Sequence, residues 1–496
     1  MANLGVHVYE KATSVSTPKV AAVGIPFVVG AAPVQSAAKP AKSNVPVLAT
    51  SWDEAVEKLG FSYDWERYTL CEFMYSHFQL FGAQPVIFCN ILDPNTMKKE
   101  VAAANYDVTD HKITLPIEAV AGSIQIKIES AVETDAGDTP AEITLVRDED
   151  YSVFYERDDT DTYVCIVELL EDGIAYDAAT VNIAYSEADP TATTVADVVD
   201  GVAQVDACMT AVGVVPDLIC APGWSHNTVV AAVMATKASA INGLFKGKAV
   251  IDADSSAGGV TEYSQLSGYK NKNNLVDVDQ ILCWPMVQLT ADADKGIYYR
   301  FHLSTQLCGL MATVDAGNRG VPYESPSNKN LKMDACVLAD GTEVNLTWDQ
   351  VKLVAGSWGV VTAVNFLDSG WVAKGNYTAC YPGNTDVKDQ FIPVSRMFDF
   401  IGNTLIRTFW SKQDKPMTTA LRDSMLQTCN IWLGGLCGSG YLYGARAEML
   451  AEENPLTDLL DGIIKLHVYN APPVPAQEID LILEYDVSYM EAALAA

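Results

Sequence analysis

The chain has 496 residues, 63 acidic side chains against 32 basic ones, and a net charge of −31. At about 100–200 residues per domain it holds two to four domains, and 49% hydrophobic with 19% charged residues describes a globular chain, not a disordered one. The excess of negative charge excludes nucleic acid and an anionic membrane as main partners, because both reward basic surfaces.

Residues 1–10 show no basic stretch ahead of an apolar core, so no secretory signal is expected. The most apolar early run, 20–34, is broken by Pro26 and Pro33 and falls short of the ~20 residues a membrane helix needs. It reads as a buried strand with its flanks, and the Ala/Pro/Lys-rich stretch 31–46 as a loop. A helix over 64–82 and a buried strand over 85–92 follow. Between 101 and 200 stand 23 Asp/Glu but only four Lys/Arg (Lys112, Lys127, Arg147 and Arg157), so this stretch carries −19 of the −31. The hydrophobic period there is two: Ile124, Ile126 and Ile128; Ile143 and Leu145; Tyr151, Val153 and Tyr155. Acidic turns at 135–138, 158–161 and 171–173 separate the runs. The pattern predicts an all-β module, from about 95 to 190, inserted into another domain, with its carboxylates on a solvated face.

Beyond it, Val195, Val198, Val199, Val202, Val205, Met209 and Val212 recur at helical spacing. Strands at 217–221, 249–252 and 280–284 alternate with helices at 228–242 and 260–272. Such alternation predicts a largely parallel sheet covered by helices on both faces. Asp340-Gly341 and the stretch 368–370 read as hairpin turns. A helix over 418–433 places Leu421, Met425, Cys429, Trp432 and Leu433 on one face, and Arg422, Asp423, Gln427 and Asn430 on the other. The glycines from Gly434 to Gly440 follow a helix, not a strand, so they mark a helix end and not a dinucleotide loop. A strand over 463–469, the stiff spacer Pro472-Pro473-Val474-Pro475 and a strand over 479–487 complete the chain.

Catalytic signatures are sparse. The 11 cysteines, from Cys71 to Cys437, include no C-x-x-C and read as reduced thiols serving as small core residues. His7, His77, His111, His226, His302 and His467 form no metal-binding pair, and neither a phosphate loop nor a G-x-S-x-G elbow occurs. The one enzyme-like arrangement is Ser225-His226 after a strand end, with Asp252 and Asp254 ending the next strand. These form a nucleophile, base and orienter if they converge, as in an α/β hydrolase. Adjacent Ser and His seldom face each other, so the reading is non-enzymatic, with no cofactor and no metal. A surface-layer or adhesin module is the other alternative, suggested by the acidic β stretch.

Several ordered motifs carry a resemblance. They are Gly5-Val6-His7-Val8-Tyr9-Glu10; the strand ends Ile219-Cys220-Ala221-Pro222-Gly223, Ile251-Asp252-Ala253-Asp254 and Cys283-Trp284-Pro285; the run from Leu307 through Asp315 to Asn328; and the block from Val394-Ser395-Arg396 through Gly462 to Tyr485. In this order they resemble the tail sheath proteins of contractile phage tails, phage-tail-like bacteriocins and related injection systems. The family's usual "V-P-P-S" turn is missing near Tyr298–His302, and the acidic β stretch lies outside the resemblance. Together with the patterning read above, the resemblance implies a multidomain fold of mixed α/β and α+β class. It has an N-terminal arm (1–18), a parallel-sheet α/β core in two parts (19–96 and 191–335, the second subtilisin-like in topology), the inserted β domain (97–190), a C-terminal α/β domain (336–475) and a C-terminal strand arm (476–496). It implies a structural subunit that polymerises helically with itself, in stacked hexameric rings, around an inner tube protein. Baseplate and terminator proteins are further expected partners. Assembly is expected in the bacterial cytoplasm. Val6, His7, Val8, Tyr9, Ile479, Leu481, Leu483 and Tyr485 are the expected inter-subunit strand residues. Arg422, Asp423 and Gln427 are the expected tube-facing ones.

Overall fold

In the computed structural model, which describes residues 17–129, 142–158, 162–367 and 369–495, the apolar runs on both sides of the acidic stretch converge in one six-stranded sheet. Its spatial order is Gln280–Cys283, Lys248–Asp252, Leu218–Cys220, Pro26–Gly30, Val86–Asn90 and Val47–Ala49. The first five are parallel, and Val47–Ala49 closes the edge antiparallel. Every residue of Pro26–Gly30, Val86–Asn90, Lys248–Asp252 and Gln280–Cys283 is buried. That is why these strands read as continuous apolar runs without alternation. From Pro26–Gly30 the chain winds one way to Val86–Asn90 and later the other way to Leu218–Cys220, so the order reverses between two adjacent strands.

One sheet face packs on the helices Val195–Ala203 and Thr228–Ser239, the other on Thr69–Met74 and the long Leu303–Gly317. The helix expected over 64–82 begins only at Thr69, because 64–68 form a turn, and it widens to a π-type turn over Tyr75–Leu80. The valine-spaced helix is broken into Val195–Ala203, a tight turn at Gln204–Ala207 and Cys208–Ala211. Ten of the eleven cysteines are buried.

Strands between Lys98 and Ala188 form two further antiparallel sheets, with Thr180–Ala188 between Lys98–Asp107 and Gln125–Glu129, and Tyr163–Leu169 between Lys112–Leu115 and Tyr151–Arg157. Ile126, Val167, Val181 and Ile183 share a hydrophobic cluster separate from that of the parallel sheet. The expected boundary at 335/336 falls inside the strand Ala335–Val337, which pairs with Met286–Asp292. Trp371–Lys374 pairs with Thr362–Asn365 around the expected hairpin turn, of which Asp368 lies outside the described residues.

The helix Ile392–Phe409 lies across the amino ends of the parallel strands and is fastened there by charge. Arg396, 4% exposed, donates to Asp315 Oδ1 at 3.1 Å and Oδ2 at 2.6 Å, and to Asp217 Oδ2 at 2.7 Å. Asp217 Oδ1 in turn accepts the Ile25 N–H at 2.8 Å. One turn on, Asp399 meets the Lys248 ammonium at 2.8 Å, and Asp279 pairs with the same ammonium. Asn403 brackets the Lys246 backbone, while Thr404 and Thr408 accept the N–H groups of Ala21 and Lys19. The opposite face of this helix packs on the helix Thr419–Gly438 and a two-stranded sheet, Gly444–Glu448 with His467–Ala471.

Burial pushes the Asp315 carboxyl up to about 6 even beside Arg396. Removing the cation strands two buried carboxylates. Arg396→Met is therefore expected to cost about 3–5 kcal/mol in urea unfolding. Adding Asp315→Asn to that variant should restore part of the loss, because one unpaired charge is then gone.

Candidate functional site

Two regions answer to the residues singled out by sequence: the crevice at the carboxyl ends of the parallel strands and the C-terminal elements. At the first, Leu218–Cys220 leads into Ala221-Pro222-Gly223, where Gly223 takes φ +74° and approaches Thr69 too closely for a relaxed side chain. The turn places Ser225 against Asp252. Ser225 Oγ donates to Asp252 Oδ2 at 3.0 Å and accepts the Asp252 N–H at 3.0 Å. Ser304 Oγ donates to the same Oδ2 at 2.5 Å, and its N–H to Oδ1 at 2.9 Å. Burial raises the Asp252 pKa, and these hydrogen bonds oppose the rise.

His226 does not stand between Ser225 and Asp252, so no relay from base to nucleophile assembles. Its carbonyl receives the Tyr269 hydroxyl, and burial lowers its imidazole pKa. Asp254 serves a turn, accepting the Ser256 N–H at 2.9 Å. The hydrolase-like convergence is corrected to a structural clasp: serine meets carboxylate directly because consecutive residues of the turn project apart.

Sequence reasoning missed the pair beside it. Glu72, 1% exposed, accepts the His302 N–H at 2.6 Å and faces His302 Nδ1 at 2.9 Å. Burial disfavours the His302 imidazolium, but the Glu72 charge outweighs it and lifts the pKa from 6.5 to about 9. The available signal was Glu72 itself, a lone acid in the apolar run from Thr69 to Met74. With a folded pKa above the free value, the stabilisation is complete below pH 6.5 and is lost as pH rises through 9. Unfolding free energy should fall by about 3 kcal/mol at most across that window. His302→Gln should show no such slope in urea titrations over a pH series.

At the second region, Val6, His7, Val8 and Tyr9 lie outside the described residues. From Pro472 to Asp486 the chain forms no strand with the described residues. Ile479, Leu481, Leu483 and Tyr485 are 75–95% exposed. The strand expected over 479–487 is therefore not formed within the subunit, and at its end Asp486 Oδ1 accepts the Ser488 N–H and starts the helix Val487–Leu494. On the helix Thr419–Gly438, Gln427 is exposed, and Arg422 pairs at 2.7 Å with its neighbour Asp423, both about half-exposed. Asn430 is exposed on the same polar face, as expected, and its amide also brackets the Ala447 backbone of the adjoining strand. The buried stripe runs through Ser424, Thr428, Cys429, Leu433 and Leu436, with Leu421 and Met425 only half-buried.

This arrangement of sheets defines a mixed α/β multidomain protein with the fold of contractile sheath subunits. The resemblance to tail sheath proteins read from the sequence holds along the chain. The chain is 25% identical over 514 aligned positions to the tail sheath protein of Burkholderia phage BcepMu, spanning 98% of this chain and 97% of that one. It is similar to the helical sheath of the anti-feeding prophage in its contracted state, with TM-score 0.57, 15% identity, and 98% and 100% of the two chains covered. It is equally similar to the contracted sheath complex of the extracellular contractile injection system PVC, with TM-score 0.57, 13% identity and 99% of each chain. A chain of the six-fold symmetrised anti-feeding prophage baseplate also aligns, with TM-score 0.55, 14% identity, and 98% and 99% covered. No protein-family model matches the chain.

Proposed function

We propose that the chain is the structural subunit of a contractile tail sheath, polymerising around an inner tube and contracting to drive it through a target envelope. The end-to-end likeness to sheath chains supports the class, and one feature of the molecule carries the reading. Five large apolar side chains (Ile479, Leu481, Ile482, Leu483 and Tyr485) stand 75% exposed or more on a tail that the subunit does not cover. Alternating Glu478, Asp480 and Glu484 leave a largely apolar edge and an acidic one. A neighbour covers such a tail by strand addition, and in the two-stranded sheet Gly444–Glu448/His467–Ala471 the His467–Ala471 edge is one that no further described strand pairs. Val6 to Tyr9 are the matching N-terminal strand in this reading.

Contacts of this head-to-tail kind do not close and so build helical tubes. Contraction is then a shift between two packings of the same subunits, with the exchanged strands as hinges and the driving free energy summed over many enlarged interfaces. Arg422, Asp423 and Gln427 face the inner tube, with baseplate and terminator proteins at the ends, in a phage tail or tail-like particle assembled in the cytoplasm. Residues 97–190 form an inserted module at the outer radius, because a surface this acidic repels its copies across a packed inner contact. No helix among the described residues is long and apolar enough to cross a membrane.

Removing residues 476–496 should leave thermal melting nearly unchanged and abolish tubes seen by negative stain and sedimentation. Four or five lost strand bonds at about 0.5–1.5 kcal/mol each suffice to break a lattice contact. Normal tubes from that variant, or a strongly lowered melt, refute strand exchange. Deleting 97–189 with a short linker should leave a folded chain that still polymerises; an unfolded product refutes the inserted module.

A further inference from the structure

We infer that the crevice at the carboxyl ends of the parallel strands is a binding site for a small oxyanion on a short apolar body, such as a low-molecular-weight carboxylate. The crevice opens where strand order reverses between Pro26–Gly30 and Leu218–Cys220, the place at which open α/β sheets present their ligand sites. It encloses about 260 Å³ lined by Trp65, Arg67, Thr69, Thr193, Trp224 and His302, among others. At roughly 30 Å³ per water, that admits a molecule of about ten non-hydrogen atoms or fewer.

The lining is rich in donors. His302, held as imidazolium by Glu72, uses one ring nitrogen on that carboxylate. Arg67 spends its Nε on Asp64 at 2.5 Å and one terminal nitrogen on Glu118 at 2.9 Å, which leaves guanidinium N–H groups of the other. The Trp65 indole Nε1–H and the Thr69 hydroxyl meet no acceptor, but neither presents surface to the crevice, and the Thr69 hydroxyl lies against Gly30; the donors that reach the cavity are those of His302 and Arg67. The indoles and Pro190 supply apolar wall, which favours a carbon body over a bare inorganic ion. Glu72, Asp64, Glu118 and the exposed Glu66 outnumber the two cations, so a polyanion is repelled and a monoanion is held only at millimolar affinity, by the remaining His302 and Arg67 N–H donors.

The position gives the site a mechanical meaning. Pro190 and Thr193 belong to the segment that follows the strand Thr180–Ala188, and Glu118 belongs to the β region, while Trp65, Trp224 and His302 belong to the parallel-sheet unit. A bound anion ties the two together. This inference does not rest on the sheath reading.

The test is titration of the full chain with butyrate and, separately, inorganic phosphate, followed by calorimetry and tryptophan fluorescence. Saturable butyrate binding that weakens at least about fivefold in Arg67→Gln and in His302→Gln supports the site. Arg67 is about half-exposed, and such pairs contribute little to stability, so its variant should melt like the parent and decides the matter if His302→Gln misfolds. Binding of phosphate alone overturns the apolar-body assignment. Absence of saturable binding by either probe into the tens of millimolar, or binding indifferent to both substitutions, overturns the site.

Discussion

Arg396 is the cation on which the relation between the sheet and the C-terminal elements depends. Its guanidinium is shared by Asp315, from a helix on one face of the sheet, and Asp217, at the foot of a central strand. Lys248 repeats the device one helical turn on with Asp279 and Asp399. Two buried cations thus meet four carboxylates at the amino ends of neighbouring strands. Such networks cost desolvation, and their return is geometric: only one placement of the helix satisfies all six charges. The C-terminal helices and hairpin follow that helix as a body. In the sheath subunit proposed above, which has to transmit force between lattice contacts and core, a joint of this kind resists sliding where a smooth apolar contact permits it.

The carboxyl ends of the same strands show the contrasting economy. There Asp252, Ser225 and Ser304 close a tight clasp, and Glu72 with His302 a second, beside a cavity that the backbone does not fill. The residue types match those of hydrolytic sites, yet the geometry spends them on each other. A serine hydrogen-bonded directly to a buried carboxylate has no imidazole between them to relay its proton, so fold and composition alone are poor guides to catalysis.

The acidic β region and the C-terminal tail carry their surface charge differently. The acidic β region solvates its carboxylates or pairs them with the few cations nearby, Lys112 with Glu168 and Lys127 with Glu142 among them. The tail after Pro475 instead leaves Leu481, Ile482 and Leu483 in water. In the strand exchange proposed above, a neighbour is what covers these side chains.

The sequence by itself determined the local grammar. Period-two runs such as Ile124-Gln125-Ile126 became strands, and unbroken runs such as Val86–Asn90 became central ones. Thr418 and Asp486 capped the helices that follow them, and the proline spacer released an apolar tail. These outcomes depend on neighbours within a few residues, where sterics and hydrogen-bond reach decide. Tertiary structure alone decided which polar residues went inside. Nothing near Arg396 in the chain announces partners 81 and 179 residues away, nor does the neighbourhood of Glu72 announce His302. Ser225 and His226 look alike as candidates until packing turns one inward to Asp252 and leaves the other aside. The reason is that the cost of burying a charge is set by what long-range packing brings within about 3 Å of it, a distance that sequence spacing does not encode.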